Sequence, residues 1–277
     1  MLGQFALRNE SAIISGEQHK TLEVAMSGAS MTKLLQIMAA LRAPQDGCPW
    51  DLEQTFKSLV SHTLEEAYEV VDCIERADHE ALVGELGDLL FQVVFYARIA
   101  EEQGKFDFDD VVDAISDKLI ARHPHVFADE NPLNATQQSI RWEEMKAEER
   151  RTQLGDKVSA LDDVPVNLPA LVRAQKIQKR AARVGFDWPE IEGVRDKVFE
   201  EIAELEQART DGKADEVEDE FGDLFFSCVN WARFLGLDAE STLRTATIKF
   251  DSRFRALEPL IQREGLNIEQ QSLESLE

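Results

Sequence analysis

Two short acidic stretches, 64-LEEAYEVV-71 and 85-ELGDLLFQVVFYAR-98, set carboxylates at helical intervals directly beside apolar runs. Within Glu65-Glu66-x-x-Glu69 the second and third acids are three residues apart and the first and third four apart, so in a helix they face one way. Glu85 and Asp88 form another three-spaced pair. The turn expected between the two stretches, near 77-ADHE-80, is short enough to make their helices antiparallel neighbours. If the acidic faces converge, Glu66, Glu69, Glu85 and Asp88 surround one point. Unpaired, they would repel one another, and an oxygen-only ligand set suits Mg2+ or Mn2+.

The arrangement recurs. A shift of 135 residues lays 64-LEEAYEVV-71 on 199-FEEIAELE-206 and 85-ELGDLLFQVVFYAR-98 on 220-EFGDLFFSCVNWAR-233, with no gap between the blocks. Glu65, Glu66, Glu69, Glu85 and Asp88 thereby match Glu200, Glu201, Glu204, Glu220 and Asp223. A lone Glu-x-x-Glu is ordinarily a solvated helix face. Paired motifs repeated at one interval, each abutting an apolar segment, favour metal ligation instead. Gly87 and Gly222 sit inside those segments, where glycine weakens a helix by about 1 kcal/mol relative to alanine. The missing side chain would let a neighbouring helix or a phosphate come close. Two rival readings share these acids. A di-iron carboxylate bundle needs Glu-x-x-His, whereas the residue three after Glu85 and Glu220 is aspartate. A non-enzymatic helical scaffold with solvated acids is the other, and Mg2+-dependent stabilisation would distinguish it.

The elements that must position these acids read as helices throughout. Apolar residues recur at three and four in 31-MTKLLQIMAALRA-43, and a loop follows at 44-PQDGCPWD-51. Helices are expected at about 58–76 and 81–103, then from an Asp107 or Asp109 cap through 110-DVVDAISDKLIAR-122, limited by Pro124. A polar loop at 128–137 and a charged helix at 138–150 lead to 161-LDDVPVNLPAL-171, whose two prolines suggest a linker or hinge. Further helices are expected at 170–183, 193–209, 214–235 and 239–263, the last disturbed near Pro259. Long alternating β-branched runs are absent, so the fold class is all-α, built from tandem helical-bundle modules. The domain organisation is a loose tail over 1–30, a module over 31–127, a connecting segment over 128–168 and a second module over 169–277.

Composition narrows the partners. A formal net charge of −24 disfavours nucleic acid or an anionic membrane as the main partner, since both demand clustered Lys and Arg. Three widely spaced cysteines without Cys-x-x-Cys give neither a disulfide framework nor a zinc site. No apolar run approaches the roughly 18 residues of a membrane span. The first residues lack the pattern of a secretory signal, so a cytoplasmic location is expected.

With its Glu-Glu-x-x-Glu and Glu-x-x-Asp motifs, the sequence closely resembles the MazG family of nucleoside triphosphate pyrophosphohydrolases. The resemblance runs over about 31–267 and includes 47-GCPWD-51, 122-RHPHVF-127 and 173-RAQKIQKRAARVGFDW-188. It implies an all-α bundle, usually dimeric, that converts NTP and water to NMP and pyrophosphate with Mg2+. Carried over by position, the metal ligands would be Glu201, Glu204, Glu220 and Asp223, with Glu66, Glu69, Glu85 and Asp88 as first-module counterparts. The resemblance covers neither residues 1–30 nor a tryptophan-bearing tail after 271-QSLESLE-277, which leaves base contact weaker or supplied by other residues.

That chemistry needs cations for a triphosphate carrying about four negative charges. Lys197 stands four residues, one turn, before Glu201; its first-module counterpart is His62, mostly neutral at pH 7. Lys249 and Arg253 can point together at phosphate oxygens, as can Lys118 and Arg122 in the first module. Asn230 lies seven residues beyond Asp223 on the same face, where its amide could read a base or ribose; the counterpart, Phe95, reads as packing. These differences make the second module the expected principal catalyst. Glu200 or another cluster acid is the expected general base. Broad NTP and dNTP specificity is expected, with an enzyme narrowed to one deoxynucleotide such as dUTP or dCTP as the alternative. Trp50, Trp188 and Trp231 could stack on bases but are expected mainly in the core.

Overall fold

A computed structural model describes residues 30–128, 134–154 and 159–276. The tail expectation for 1–29 lies outside the described residues. Among the described residues every regular element is helical and no strand occurs. The chain divides into two compact units, one up to Asn134 and the other from Ala135.

The first unit contains α1 (Ser30–Leu41), α2 (Pro49–Glu53), α3 (Val60–Glu75), α4 (His79–Glu102), α5 (Phe108–Arg122) and α6 (Pro124–Phe127). Helices α3 and α4 form a hairpin, and α1 and α5 pack on α4. Buried Met38, Leu59, Val94, Phe95 and Ile99 make the core, ringed by residues such as Phe56, Phe91 and Tyr96. Asp107 caps α5: its carboxylate accepts from the Asp110 N–H while the Asp110 carboxylate accepts from the Asp107 N–H. The short helices α2 and α6 occupy segments expected as loop or helix stop. Both begin at a proline, which breaks a helix interior but fits its first turn, where the missing N–H has no intrahelical partner.

The second unit contains α7 (Ala135–Leu154), α8 (Ala170–Arg183), α9 (Ile191–Asp211), α10 (Ala214–Phe234), α11 (Ala239–Arg263), a 3-10 turn (Ile268–Gln270) and α12 (Leu273–Leu276). Helix α7 starts within the stretch expected as loop, since nothing from Ala135 onward breaks a helix. Helix α11 runs through Pro259, whose exposed position leaves the freed Arg255 carbonyl open to water. Helices α9 and α10 form the hairpin corresponding to α3–α4, with α8 packed on α10 as α1 packs on α4. Gly212 joins α9 to α10 at φ 70°, a left-handed conformation costly for other residues, and lets α10 fold straight back. Of the two occupants expected beside Gly87 and Gly222, a helix or a phosphate, the helix is not found: a Cβ at either would meet nothing within 4 Å among the described residues. Both lie on open helix faces.

Candidate active site

The hairpin geometry converts acid spacing in sequence into clusters in space. Because α10 runs antiparallel to α9, Glu220 and Asp223 come opposite Glu201. One carboxylate oxygen from each of Glu201, Glu220 and Asp223 lies within 4.8 Å of the others. Helices α3 and α4 bring Glu66, Glu85 and Asp88 together within the same limit. Octahedral Mg2+ at about 2.1 Å from its ligands would hold opposite oxygens about 4.2 Å apart, so small side-chain adjustments fit each trio to such an ion.

Neither Glu69 nor Glu204 belongs to these trios, yet both bear on them electrically. Glu220 is pushed above the ordinary carboxylate range by burial, then by the charges of Glu204, Glu201 and Asp223. Glu85 is pushed up by burial, then by Glu69 and Asp88. Glu66 rises through burial, then Asp88 and Glu69. Crowding thus resists full ionisation without a cation, the behaviour expected of hard-metal ligands.

The two clusters differ in their cations. The Lys197 Nζ lies 2.8 Å from Glu201 Oε1, 2.9 Å from Glu200 Oε1 and 4.0 Å from Glu204 Oε2. Its hydrogen bonds, to Glu201 first and then Glu200, hold the ammonium above the ordinary lysine range. This partner makes it tolerable for Glu201 to be only 3% exposed. In the first unit His62 reaches Glu65 at 3.7 Å and sits edge-on to Trp50. Among the described residues no ion pair reaches Glu66, which is half-buried.

Beside the second cluster a cleft of about 790 Å³ opens between α8, α9 and α10, and Lys197, Glu201 and Asp223 contribute to its wall. Further along α10 the wall continues through Phe226 and Asn230, while Trp188 lines it from the α8–α9 connection. Trp188 rests against Gly193; a Cβ there would stand 2.7 Å from its ring, so only glycine lets the indole lie so close to α9. Arg233 is fastened to Asp187 through two contacts, at 2.5 and 3.0 Å, and its Nε donates to Asn230 Oδ1 at 2.9 Å.

Residues 54–127 and 190–257 match the model of the MazG nucleotide pyrophosphohydrolase domain, together just over half of the chain. The chain belongs to the MazG family. It is accordingly a pyrophosphatase hydrolase. It is 53% identical over 247 residues to the nucleoside triphosphate pyrophosphohydrolase of Escherichia coli (strain K12), covering 88% of this chain and 93% of that protein. It is 43% identical over 251 residues to the nucleoside triphosphate pyrophosphohydrolase/pyrophosphatase MazG of Thermotoga maritima, covering 91% of this chain and 94% of that one. Each acid trio falls inside one matched stretch.

Across the MazG domains the remaining candidates separate. Glu200 is exposed and tied to Lys197, outside the trio. Lys249 and Arg253 lie on the exposed surface of α11 and do not line the cleft. Asn230 lines it. Phe95, its counterpart, is fully buried, edge-on to Phe91, with the Arg42 guanidinium over its ring. Among the tryptophans expected in the core, Trp50 is 51% and Trp188 45% exposed. Asp187 and Arg233 are not evident as candidate residues in the sequence, where Trp188 reads as able to stack on a base but more ordinarily as core. Arg233 and Asp187 are 46 positions apart, and the place of Trp188 in the cleft wall depends on its packing against Gly193.

Proposed function

We propose that the second MazG domain is the principal catalyst of a Mg2+-dependent reaction, NTP + H2O → NMP + pyrophosphate, acting broadly on NTPs and dNTPs. The observation that carries this reading is the joining of a three-acid cluster, an ion-paired lysine and an adjacent cleft in one place. Glu201, Glu220 and Asp223, with Glu204 beside them, would hold the cation, with Mn2+ as substitute. Bound there, a divalent ion would offset phosphate charge and polarise water.

The chain's own residues supply the rest. Lys197 stands where it can neutralise phosphate oxygens while keeping Glu200 and Glu201 in place. Glu200 takes a proton from the attacking water. A bond forms from that oxygen to the α-phosphorus, and the bond from the α-phosphorus to the bridging oxygen breaks, so pyrophosphate leaves with the electron pair. Lys249 and Arg253, exposed on α11 outside this chain's cleft, are proposed for the leaving phosphates from their sequence spacing alone, and Asn230, which lines the cleft, is assigned to the nucleoside. The first domain, with Glu66, Glu69, Glu85 and Asp88, is a weaker or regulatory metal site.

Large apolar side chains support pairing with a second copy: Phe199, Phe221, Phe225 and Phe250 are 45–69% exposed, and Phe221 sits edge-on to Phe225. Sedimentation at micromolar concentration should give a dimer. Among the described residues no helix is long and apolar enough to cross a membrane, and a cytoplasmic setting suits the substrates. Incubation with Mg2+ and each of the eight common nucleotides tests the reaction. Nucleoside monophosphate with pyrophosphate is expected; diphosphate with orthophosphate would contradict it.

A further inference from the structure

One wall of the cleft carries hydrogen-bonding groups that the acid and cation chemistry does not use. Gln178, on α8, is 6% exposed and lines the cleft. Its Nε2 donates to the Phe226 carbonyl at 2.8 Å. A carbonyl only accepts, so the amide orientation is forced, and Oε1 must face away from Phe226. That Oε1 is buried and meets no donor among the described residues. Buried acceptors are normally paired, and an unpaired one is costly. Gln175, one turn earlier on α8, shows the contrast: its Nε2 donates to the Leu237 carbonyl at 2.7 Å and its Oε1 accepts from the Ala239 N–H at 3.1 Å. Gln175 is consumed by the fold. Gln178 is half free.

The complementary group stands next to it. Asn230 follows Phe226 by four residues on α10, about 6 Å along the helix. Arginine only donates, so its bond to Asn230 Oδ1 also fixes that amide and leaves Nδ2 as the group on offer. Arg233 is in turn fixed by its two-point contact with Asp187. Gln178 and Asn230 therefore both line the cleft, Gln178 with a buried acceptor left unpaired and Asn230 with its own acceptor already taken by Arg233, beside Phe226 and Trp188.

Building on the pyrophosphohydrolase reading above, we infer that Gln178 and Asn230 recognise the nucleoside half of the substrate. Gln178 Oε1 accepts a hydrogen bond from a base N–H or a sugar hydroxyl, and Asn230 Nδ2 donates to a base or sugar acceptor. Arg233 and Asp187 are positioning residues, acting through Asn230.

Steady-state kinetics of the full chain with Mg2+ tests this, using ATP, 2′,3′-dideoxy-ATP (no sugar hydroxyl donors) and N6,N6-dimethyl-ATP (no exocyclic N–H). In wild type one analogue should show a KM about tenfold above that of ATP, naming the donor's source. Gln178→Met should raise the KM for ATP about tenfold, lower kcat far less, and abolish the distinction between ATP and that analogue. Asn230→Asp preserves the contact with Arg233 while removing the donor, and should raise KM similarly even if Gln178→Met folds poorly. Arg233→Gln should raise KM as well, but add little to Asn230→Asp in the double variant. Fully additive KM effects would overturn the positioning role. A folded Gln178→Met with wild-type KM for all three nucleotides would mean that Oε1 meets only water, and would overturn the inference. Wild type that releases pyrophosphate from no nucleotide would instead overturn the reading of the site on which it rests.

Discussion

The two MazG domains carry the same three-acid geometry in different surroundings. In both, a short helical hairpin holds two glutamates and an aspartate within 4.8 Å of one another. In the second, a lysine bridges Glu200 and Glu201, and an asparagine two turns from Asp223 faces a cleft. In the first, a histidine stands in place of that lysine, and a buried phenylalanine in place of that asparagine. The same backbone thus serves two ends. With Phe95 the hairpin closes its own core; with Asn230 it leaves room for a ligand. A cluster of carboxylates is only the start of a phosphate site, and the cations and open volume beside it decide what it can bind.

The contrast can be broken at the acids first. Glu201→Gln should lower pyrophosphate release by more than 100-fold, because loss even of an outer partner to a metal ligand typically costs ~10–100-fold. The matched Glu66→Gln should leave most of the activity. Initial rates of the two variants at saturating Mg2+ measure the difference.

Next comes the exchange at the asparagine and phenylalanine positions. Phe95→Asn should cost the first domain about 3–5 kcal/mol, the range for deleting a buried aromatic ring, visible as a lowered urea midpoint. Asn230→Phe should cost little stability, because Asn230 borders open space, but should raise the substrate KM severalfold. Equal destabilisation by the two would remove the distinction between a filled and an open hairpin.

A smaller effect is expected at Lys197. Lys197→Met leaves Glu201 buried without its partner, which should destabilise the metal-free protein by about 1 kcal/mol once solvent screening of the third-exposed lysine is allowed for. Mg2+ should recover part of that loss. His62→Lys in the first domain sharpens the comparison by asking whether a cation there restores substrate binding.

The pH response is smaller still and has a defined sign. Glu66, Glu85 and Glu220 are held above the ordinary carboxylate range, so the metal-free folded protein keeps their protons better than the unfolded chain does. Their contribution to stability is complete below the ordinary value and is lost as pH rises through the raised ones. In EDTA, Glu220→Gln should therefore gain Tm relative to wild type as pH rises across that window. The Mg2+-induced rise in wild-type Tm should grow over the same interval, since the ion binds the ionised form.

Much of this was legible beforehand. The helices α3, α4, α9 and α10 follow from apolar periodicity, and the acid clusters follow from spacing plus a short turn. What escaped depended on the third dimension. Prolines at 49 and 124 open α2 and α6 where they read as loop or helix stop. Gln178 looks like a polar position on an amphipathic helix until its amide is found wedged against the Phe226 carbonyl. Asp187 and Arg233 meet only because α8 and α10 pack together. The glycines beside the acids invited a close helix or a phosphate, and no helix of the described chain takes that place.

The most direct test is product analysis of wild type, Glu66→Ala and Glu201→Ala with Mg2+ and ATP. AMP and pyrophosphate from wild type and Glu66→Ala, with neither from Glu201→Ala, is the predicted outcome. Activity that survives in Glu201→Ala and disappears in Glu66→Ala would contradict the assignment of catalysis to the second domain.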